Sequence, residues 1–533
     1  IQQYIIRCND KLKRFQINKG RITTMNYFIG VDVGTTSTKA VLYDQNATVL
    51  DQFSQGYSLY RDASGMAEQN PTAIVEAVEK VIHDAAQKAD LTNGKLLAVS
   101  FSSANQSVIM LDKNFNPLSR VITWADTRAR DVANELKNSP AGQQIYAKTG
   151  TPIHPMSPLT KIMWLNKTQA DKVAQTAYFG DIKSYLFHQF FNTFKVDVSI
   201  ASCTGMMNVN TCDWNDQALE LANVDRSQLP EIVNGTTQAI GLTATAQAKM
   251  GIPADTPFVY GAFDGALSNL GVGAIKQNTV AITIGTSAGV RVVTDHPVID
   301  PQQRLFCYAV DKGLWVIGGP LNNGGDVYQW AVEHLVDASA VKNENIDPYT
   351  LANQVIEGVP AGAHGLLFHP FLGGERAPLW DANARGSFFG LSHIHTRADM
   401  LRSVMEGICM NIATVFQAVR DLVGNPASVT ATGGFARAEV WRQMLADVLN
   451  CPVNIPNSFE SGCLGAITMA MKSLGMIENY EIIKTLIGDI SSYQPNQEAV
   501  NVYQNYLPLF QQVEGLLTPA YSTIAKLQQQ SIH

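Results

Sequence analysis

The sequence predicts an α/β protein of two large domains, and three observations predict it. Apolar strand-like runs alternate with segments of helical periodicity, the pattern of sheets covered by helices. A strand, small-residue turn and strand at Tyr27–Val33, Gly34-Thr35-Thr36-Ser37 and Thr38–Tyr43 returns mid-chain as Val280–Ile284, Gly285-Thr286-Ser287 and Val290–Val293. The chain has 533 residues, too many for one core when a domain averages about 150. A repeat separated by more than about 200 residues is a duplicated domain, since solenoid units are far shorter. The joint is expected within Gly271–Asn278, giving domains 25–272 and 273–533.

Taken in order, residues 1–24 carry Lys11, Lys13, Arg14, Lys19 and Arg21 without a continuous apolar run. They fit no secretory signal and read as a disordered extension, with Met25 as the natural start. The first strand then runs into Asp32 and its glycine turn. Asn70-Pro71 supplies a cap and a proline at the first helical position, and Ile74, Val78, Ile82 and Ala85 share one face over 72–88. Leu96–Ser102 and Val108–Leu111 are further strands. Over 399–423, Leu401, Val404, Ile408, Ile412, Val415 and Val419 recur at helical spacing. Val429–Thr432 is a short strand ending in Gly433-Gly434, followed by a helix from about Ala438 to Leu449. The Gln- and Leu-rich stretch 497–530 reads as one or two closing helices.

Composition narrows the partners. Hydrophobic residues make up 46% and charged residues 16%, so the chain can bury a core and has no disorder signature. A net charge of −7 without a basic block in the body argues against nucleic acid and anionic membranes, leaving a small molecule. No run of about 18 uncharged apolar residues exists to span a membrane. The seven cysteines are scattered with no Cys-x-x-Cys pair, which indicates neither a disulfide framework nor a zinc site. A cytoplasmic location is expected, and a homodimer is kept open.

Several residues carry possible chemistry. Asp32 with Gly34, Thr35 and Thr36 forms a turn whose backbone N–H groups and hydroxyls suit phosphate oxygens, and Asp32 could hold Mg²⁺ through water. A tight polar hairpin is the plainer explanation of that motif alone. The second turn at Gly285-Thr286 shifts the balance, because a nucleotide clamped between similar domains needs a hairpin from each. Gly433-Gly434, where strand becomes helix, lets backbone approach a purine or phosphate, or is simply a glycine-rich connection. Neither a Rossmann Gly-x-Gly-x-x-Gly nor a Walker loop is present. Asp264, alone in the small-residue run Gly261–Gly271, is either a helix cap or a functional carboxylate, and its place at the domain joint favours function. Trp124-Ala-Asp126-Thr-Arg128 and His154–Trp164 combine charge with aromatic faces, as a polyhydroxylated ligand requires. A structural role remains open for His154, and Glu375-Arg376 reads as a structural ion pair.

These residues resemble the carbohydrate kinases that include glycerol kinase, xylulokinase and gluconokinase. The likeness extends from Met25 to about residue 510. One signature of that family is Met156-x-Pro158-x-x-Lys161-Ile162-x-Trp164-Leu165, with Thr168 departing from the usual larger polar residue. The other is Gly386-Ser-Phe388-Phe-Gly390-Leu391, then Asp399-Met400-x-x-Ser403-Val404-Met405-Glu406. The resemblance implies two actin-like, ribonuclease-H-type domains with ATP and sugar in the cleft between them. It carries ATP-side roles onto Asp32, Thr35, Thr36, Gly285, Thr286, Gly325, Gln329, Gly433 and Gly434, and the catalytic general base onto Asp264. The position of the xylulokinase Met-His pair holds Asn105-Gln106, which points away from xylulose. Thr149–Met156, Thr123–Asp126 and Gly318–Gly325 look most similar to the gluconokinase branch. Gluconate would need a cation or imidazole, for which Arg128, His154 and Lys161 are available. A ketopentose kinase is the runner-up. The rival of another class is a non-catalytic actin-like ATP-binding sugar sensor, which would bind ATP and release no ADP.

Overall fold

In the computed structural model, residues 25–456 and 461–531 are described, and the expected extension 1–24 lies outside them. The first sheet is built on β1 (Asn26–Val33) and β2 (Ser37–Asp44), an antiparallel hairpin in which Val33 faces Thr38. The turn closes when Gly34 N–H donates to the Ser37 carbonyl at 3.0 Å. An edge strand, β3 (Val49–Gly56), pairs antiparallel with β2 and alternates exposed with half-buried residues. β4 (Lys95–Ser103) lies parallel to β1, and β6 (Phe258–Phe263) parallel to β4, with the short β5 (Gln238–Ala239) outside. The order is therefore β3-β2-β1-β4-β6-β5. Central strands covered on both faces read as continuous apolar runs, as β1 and β6 do.

Helix α1 (Pro71–Lys88) begins as its cap predicts: the Asn70 side chain accepts from Thr72 N–H, and Ile74, Val78, Ile82 and Ala85 are buried. Between β4 and β6 come α2 (Pro158–Thr168), α3 (Ile182–Phe191) and the short α4 (Val198–Ser202). α5 (Asp264–Gly271) follows β6 without a linker.

The second sheet repeats the first. β7 (Thr279–Ile284) and β8 (Ala288–Thr294) form the hairpin. β9 (Phe306–Asp311) and β10 (Leu314–Leu321) extend it antiparallel, while β11 (Ser428–Thr432) and β12 (Val453–Pro456) run parallel to β7. With β13 (Ile490–Tyr493) at the far edge, the order is β9-β10-β8-β7-β11-β12-β13. Its segment β10-β8-β7-β11-β12 has the order and strand directions of β3-β2-β1-β4-β6. The duplication expected from two hairpins is a duplicated sheet.

α6 (Gly325–Leu335) starts beside the β7–β8 turn. α7 (Arg397–Val423) buries all six residues of its expected apolar face, and α8 (Glu439–Leu449) follows β11. The closing segment is one helix, α10 (Gln497–Ser531), with Pro508 and Pro519 inside it. One connection was not legible in sequence. Helix α9 (Ser461–Ser473), from the second half, returns to cover the first sheet, where Cys463, Leu464, Ile467 and Ala470 pack with Phe28, Val41, Ala98 and Val259. Glycine makes the approach: a Cβ on Gly271 would lie 1.8 Å from the Ser461 carbonyl oxygen, and one on Gly465 2.2 Å from that of Leu267.

Candidate active site

Asp264 owes its position to a break in a strand. The β4–β6 register shifts between Val259 and Ala262, a bulge that re-aims the strand end. Gly261 occupies the bulge at φ 67°, and a Cβ there would sit 1.8 Å from the Phe101 carbonyl oxygen, so no other residue fits. Asp264 lies within α5 and not at its cap; among the described residues its Oδ1 accepts from the N–H of its neighbour Gly265 at 2.6 Å. Capping therefore does not explain it. Asp264 is exposed, yet protein crowds the flanks of its carboxylate. That crowding, and then the charge of Asp32, push its pKa up to about 6 against the pull of Arg291, the Gly265 N–H and Arg376.

Asp32 stands near the end of β1, where Ser102 Oγ on the adjacent β4 donates to its Oδ1 at 2.6 Å. The turn beyond it is held from outside. Gln69 Nε2 donates to the Thr35 carbonyl at 2.5 Å, Trp124 Nε1 to Thr35 Oγ1 at 2.9 Å, and Tyr57 N–H to the Thr36 carbonyl at 3.0 Å. Thr35, Asn105 and Trp124 line one recess.

The second hairpin is closed in the same manner, Gly285 N–H donating to the Ser287 carbonyl at 2.9 Å. It is fastened to the start of α6 by Gly325 N–H to the Gly285 carbonyl at 2.7 Å and Asp326 N–H to the Thr286 carbonyl at 3.2 Å. Gly433, at the end of β11, has φ 113°, and a Cβ there would fall 2.2 Å from the Ile284 carbonyl oxygen. Gly285, Thr286, Gly325 and Gly433 thus meet at one point, while a Cβ on Gly434 would meet nothing within 4 Å, leaving open space at that point. Gln329 sits a turn further along α6 on an exposed face, its Nε2 donating to Glu333 at 2.8 Å.

On the other side, Asn105 Nδ2 donates to Cys203 Sγ at 3.2 Å. Gln106, at φ 60°, donates from Nε2 to the Tyr308 hydroxyl of the second half at 3.2 Å. Arg128, His154 and Lys161, expected to supply charge for an acidic ligand, are each committed. Arg128 pairs with Asp126 at 2.7 Å and Glu68 at 2.5 Å and lies over the Trp164 ring. Lys161 is fully buried, its Nζ donating to the carbonyls of Gln106 at 2.6 Å and Met156 at 2.7 Å; burial lowers its pKa to about 7. Burial, then the positive field of Arg376, Lys137, Lys161 and Arg130, lowers His154 to about 3 and keeps it neutral. A surface hollow beside Glu68, Arg120, Arg128 and Lys172 does not include Asp264.

Two arginines passed over in sequence face Asp264 instead. Arg291 projects from β8 into room left by glycines: a Cβ on Gly265 would lie 2.8 Å from its Nε. Arg376 lies over the Trp124 ring at 5.1 Å and donates to the Leu321 carbonyl at 3.0 Å. The Nε of each is buried with no hydrogen-bond partner among the described residues. Glu375 accepts from the Arg376 backbone N–H at 2.8 Å and from Asn322 N–H, Asn323 and Asn411, and its charge acts on the Arg376 guanidinium without a direct side-chain contact between the two. A charged residue inside the otherwise apolar run Ala288–Val293 was the available signal for Arg291.

Residues 27–271 match the N-terminal domain, and residues 280–474 the C-terminal domain, of the FGGY family of carbohydrate kinases. This chain belongs to the FGGY family. Gluconokinase of Bacillus subtilis (strain 168) is 42% identical over 507 residues, covering 94% of this chain and 98% of the relative. Among solved structures, gluconate kinase from Lactobacillus acidophilus is similar at a TM-score of 0.89 and 37% identity, covering 94% of this chain and all of that one. A ligand-bound xylulose kinase from the same organism gives the same figures. The two expected α/β domains are thus those of an FGGY kinase, and membership makes this chain a carbohydrate kinase with ATP as the implied phosphoryl donor. No helix among the described residues is long and apolar enough to cross a membrane.

Proposed function

We propose that this FGGY kinase phosphorylates D-gluconate at its C6 hydroxyl, giving 6-phosphogluconate, with Asp264 as general base. The supporting observation is one carboxylate, its pKa raised to about 6, at the open end of β6 between two glycine hairpins and faced by two arginines. At neutral pH such a carboxylate is ionised and still basic enough to receive a proton. The hydroxyl oxygen forms a bond to the γ-phosphorus as the bond to the ADP oxygen breaks, and the hydroxyl proton passes to Asp264. Positioning and charge neutralisation supply most of the acceleration.

The chain's own groups divide the work. The turns at Gly34–Thr36 and Gly285–Thr286, with Gly325, Gly433 and Gly434, hold the nucleotide, and Arg291 offsets charge near the transferring group. Asn105, Gln106 and Asp126 shape the sugar side. With Arg128 neutralised, His154 uncharged and Lys161 sealed in, Arg376 is the cation for the gluconate carboxylate. Asp32 and Asp264 are close enough for the charge of one to act on the other, and two neighbouring carboxylates suit Mg²⁺ held through water. Asp32 would hold the ion through water, and the bound ion would neutralise phosphate charge.

A ketopentose kinase is the second reading, favoured by the equal likeness to the xylulose kinase structure. Sugar-dependent ADP release compared across gluconate, xylulose, ribulose and glycerol separates the two. Gluconate is expected to give the highest kcat/KM; a higher value for xylulose or ribulose would sink the gluconate reading.

A further inference from the structure

We propose that the buried Lys183–Asp197 pair and Ser199 form a positioning device that holds the β6 bulge in register and so aims Asp264. The proposal rests on the reading of Asp264 as the base.

A strand bulge leaves backbone groups without ladder partners, and buried ones must find others. Here the carbonyls on either side of Gly261 are taken by one ammonium. Lys183 Nζ donates to Tyr260 at 3.1 Å and to Ala262 at 3.3 Å, and stands 2.7 Å from Asp197 Oδ2. Of the three donors of an ammonium, two go to the carbonyls, and the carboxylate beside it supplies the opposite charge as an ion pair. Both side chains are 0% exposed.

The carboxylate continues the chain of contacts toward the reacting end. Asp197 caps α4, accepting from Ile200 N–H at 3.1 Å and from Ser199 Oγ. Ser199 Oγ in turn accepts from Phe263 N–H at 2.8 Å, the residue immediately before Asp264. The hydrogen bonds from this network to β6 fall on residues 260, 262 and 263. Regular pairing of β6 with β4 would slip the strand by one residue, and a one-residue slip turns each side chain to the opposite face. The network blocks that slip. It also reaches the sugar side, because Cys203 Sγ, which accepts from Asn105, donates to the Ser199 carbonyl at 3.1 Å.

Stability alone is a weak reason for such a pair, since well-packed apolar replacements of buried ion pairs are often neutral or stabilising. That contrast supplies the test. The variants are Lys183→Met/Asp197→Leu, which keeps the volume apolar, and Ser199→Ala, which removes the Phe263 acceptor together with the hydroxyl donated to Asp197. Melting temperature, KM for ATP, kcat and the pH dependence of kcat/KM are measured with whichever sugar the wild type turns over. The double variant leaves the Tyr260 and Ala262 carbonyls and the α4 cap without partners and is expected to melt below the wild type, with KM for ATP within about twofold, while kcat falls about 10²-fold, the order expected of a displacement near 1 Å. Ser199→Ala is expected to lose about tenfold in kcat, and in both variants the acid limb moves below its wild-type position. A structural role would leave kcat and the acid limb of the folded variants unchanged, which would overturn the proposal; should the double variant not fold, Ser199→Ala decides alone. A wild type that transfers phosphate to no sugar would instead overturn the reading of Asp264, and the proposal with it.

Discussion

Asp264 is under two opposed demands. Its folded pKa of about 6 lies above the ordinary 3.8, so between those values the native state binds more protons than the unfolded chain. Stability then falls as pH rises from 3.8 to about 6, and the cost is complete above that. Asp264→Asn removes the cost along with the base. The variant is expected to melt higher than the wild type at pH 7.5, with the difference vanishing near pH 4 by thermal unfolding. Its sugar-dependent ADP release should fall at least about 10²-fold while ATP binding persists, and near-normal turnover would remove Asp264 from the chemistry. The wild-type kcat/KM should lose activity as pH drops through about 6. Arg376 is tested separately: Arg376→Gln should raise KM for gluconate about 10- to 100-fold, the worth of a charge-assisted contact, while an unchanged gluconate KM would place the acid's partner elsewhere. Asp264 was legible because an isolated carboxylate in a small-residue run stands out. Arg291 and Arg376 were hidden, because which charges already have partners depends on residues such as Glu68, far from Arg128 in sequence.

Among the elements, the glycine turns matter through their backbones. Gly433→Ala places a Cβ against the Ile284 carbonyl and keeps a residue at φ 113°. It should destabilise by about 1–3 kcal/mol in denaturant unfolding and raise KM for ATP more than KM for sugar; an unaltered ATP KM would detach this glycine from the nucleotide. The two long motifs that make the family recognisable act differently. Lys161 ties α2 to the backbone of Gln106 and Met156. In the second motif, Asp399 forms a capping box with Thr396, and Glu406 is buried, accepting from Gly362 N–H and the Tyr503 hydroxyl. These residues fix where loops and helices meet, so a motif can name a family without marking its chemistry.

At the scale of the molecule, α9 makes the halves interdependent. Without residues 461–473 the first sheet would expose Phe28, Val41, Ala98 and Val259. A fragment of residues 25–272 is therefore expected to aggregate or to lack native circular dichroism, and the whole chain to unfold in one transition. A soluble fragment with a cooperative melt would show the first half to be self-sufficient.

The α/β class, the duplicated hairpin and the helices with strong apolar periodicity are legible in the chain because they are written in local spacing, and the family is legible because two motifs resemble it. Only the tertiary structure decided the rest. The bulge at Gly261 needs the Phe101 carbonyl to explain it, the return of α9 joins residues more than 400 apart in the chain at Gly30 and Cys463, and the cations whose charge acts on Asp264 are Arg291 and Arg376. Each depends on which distant groups meet, and spacing along one chain carries no record of that.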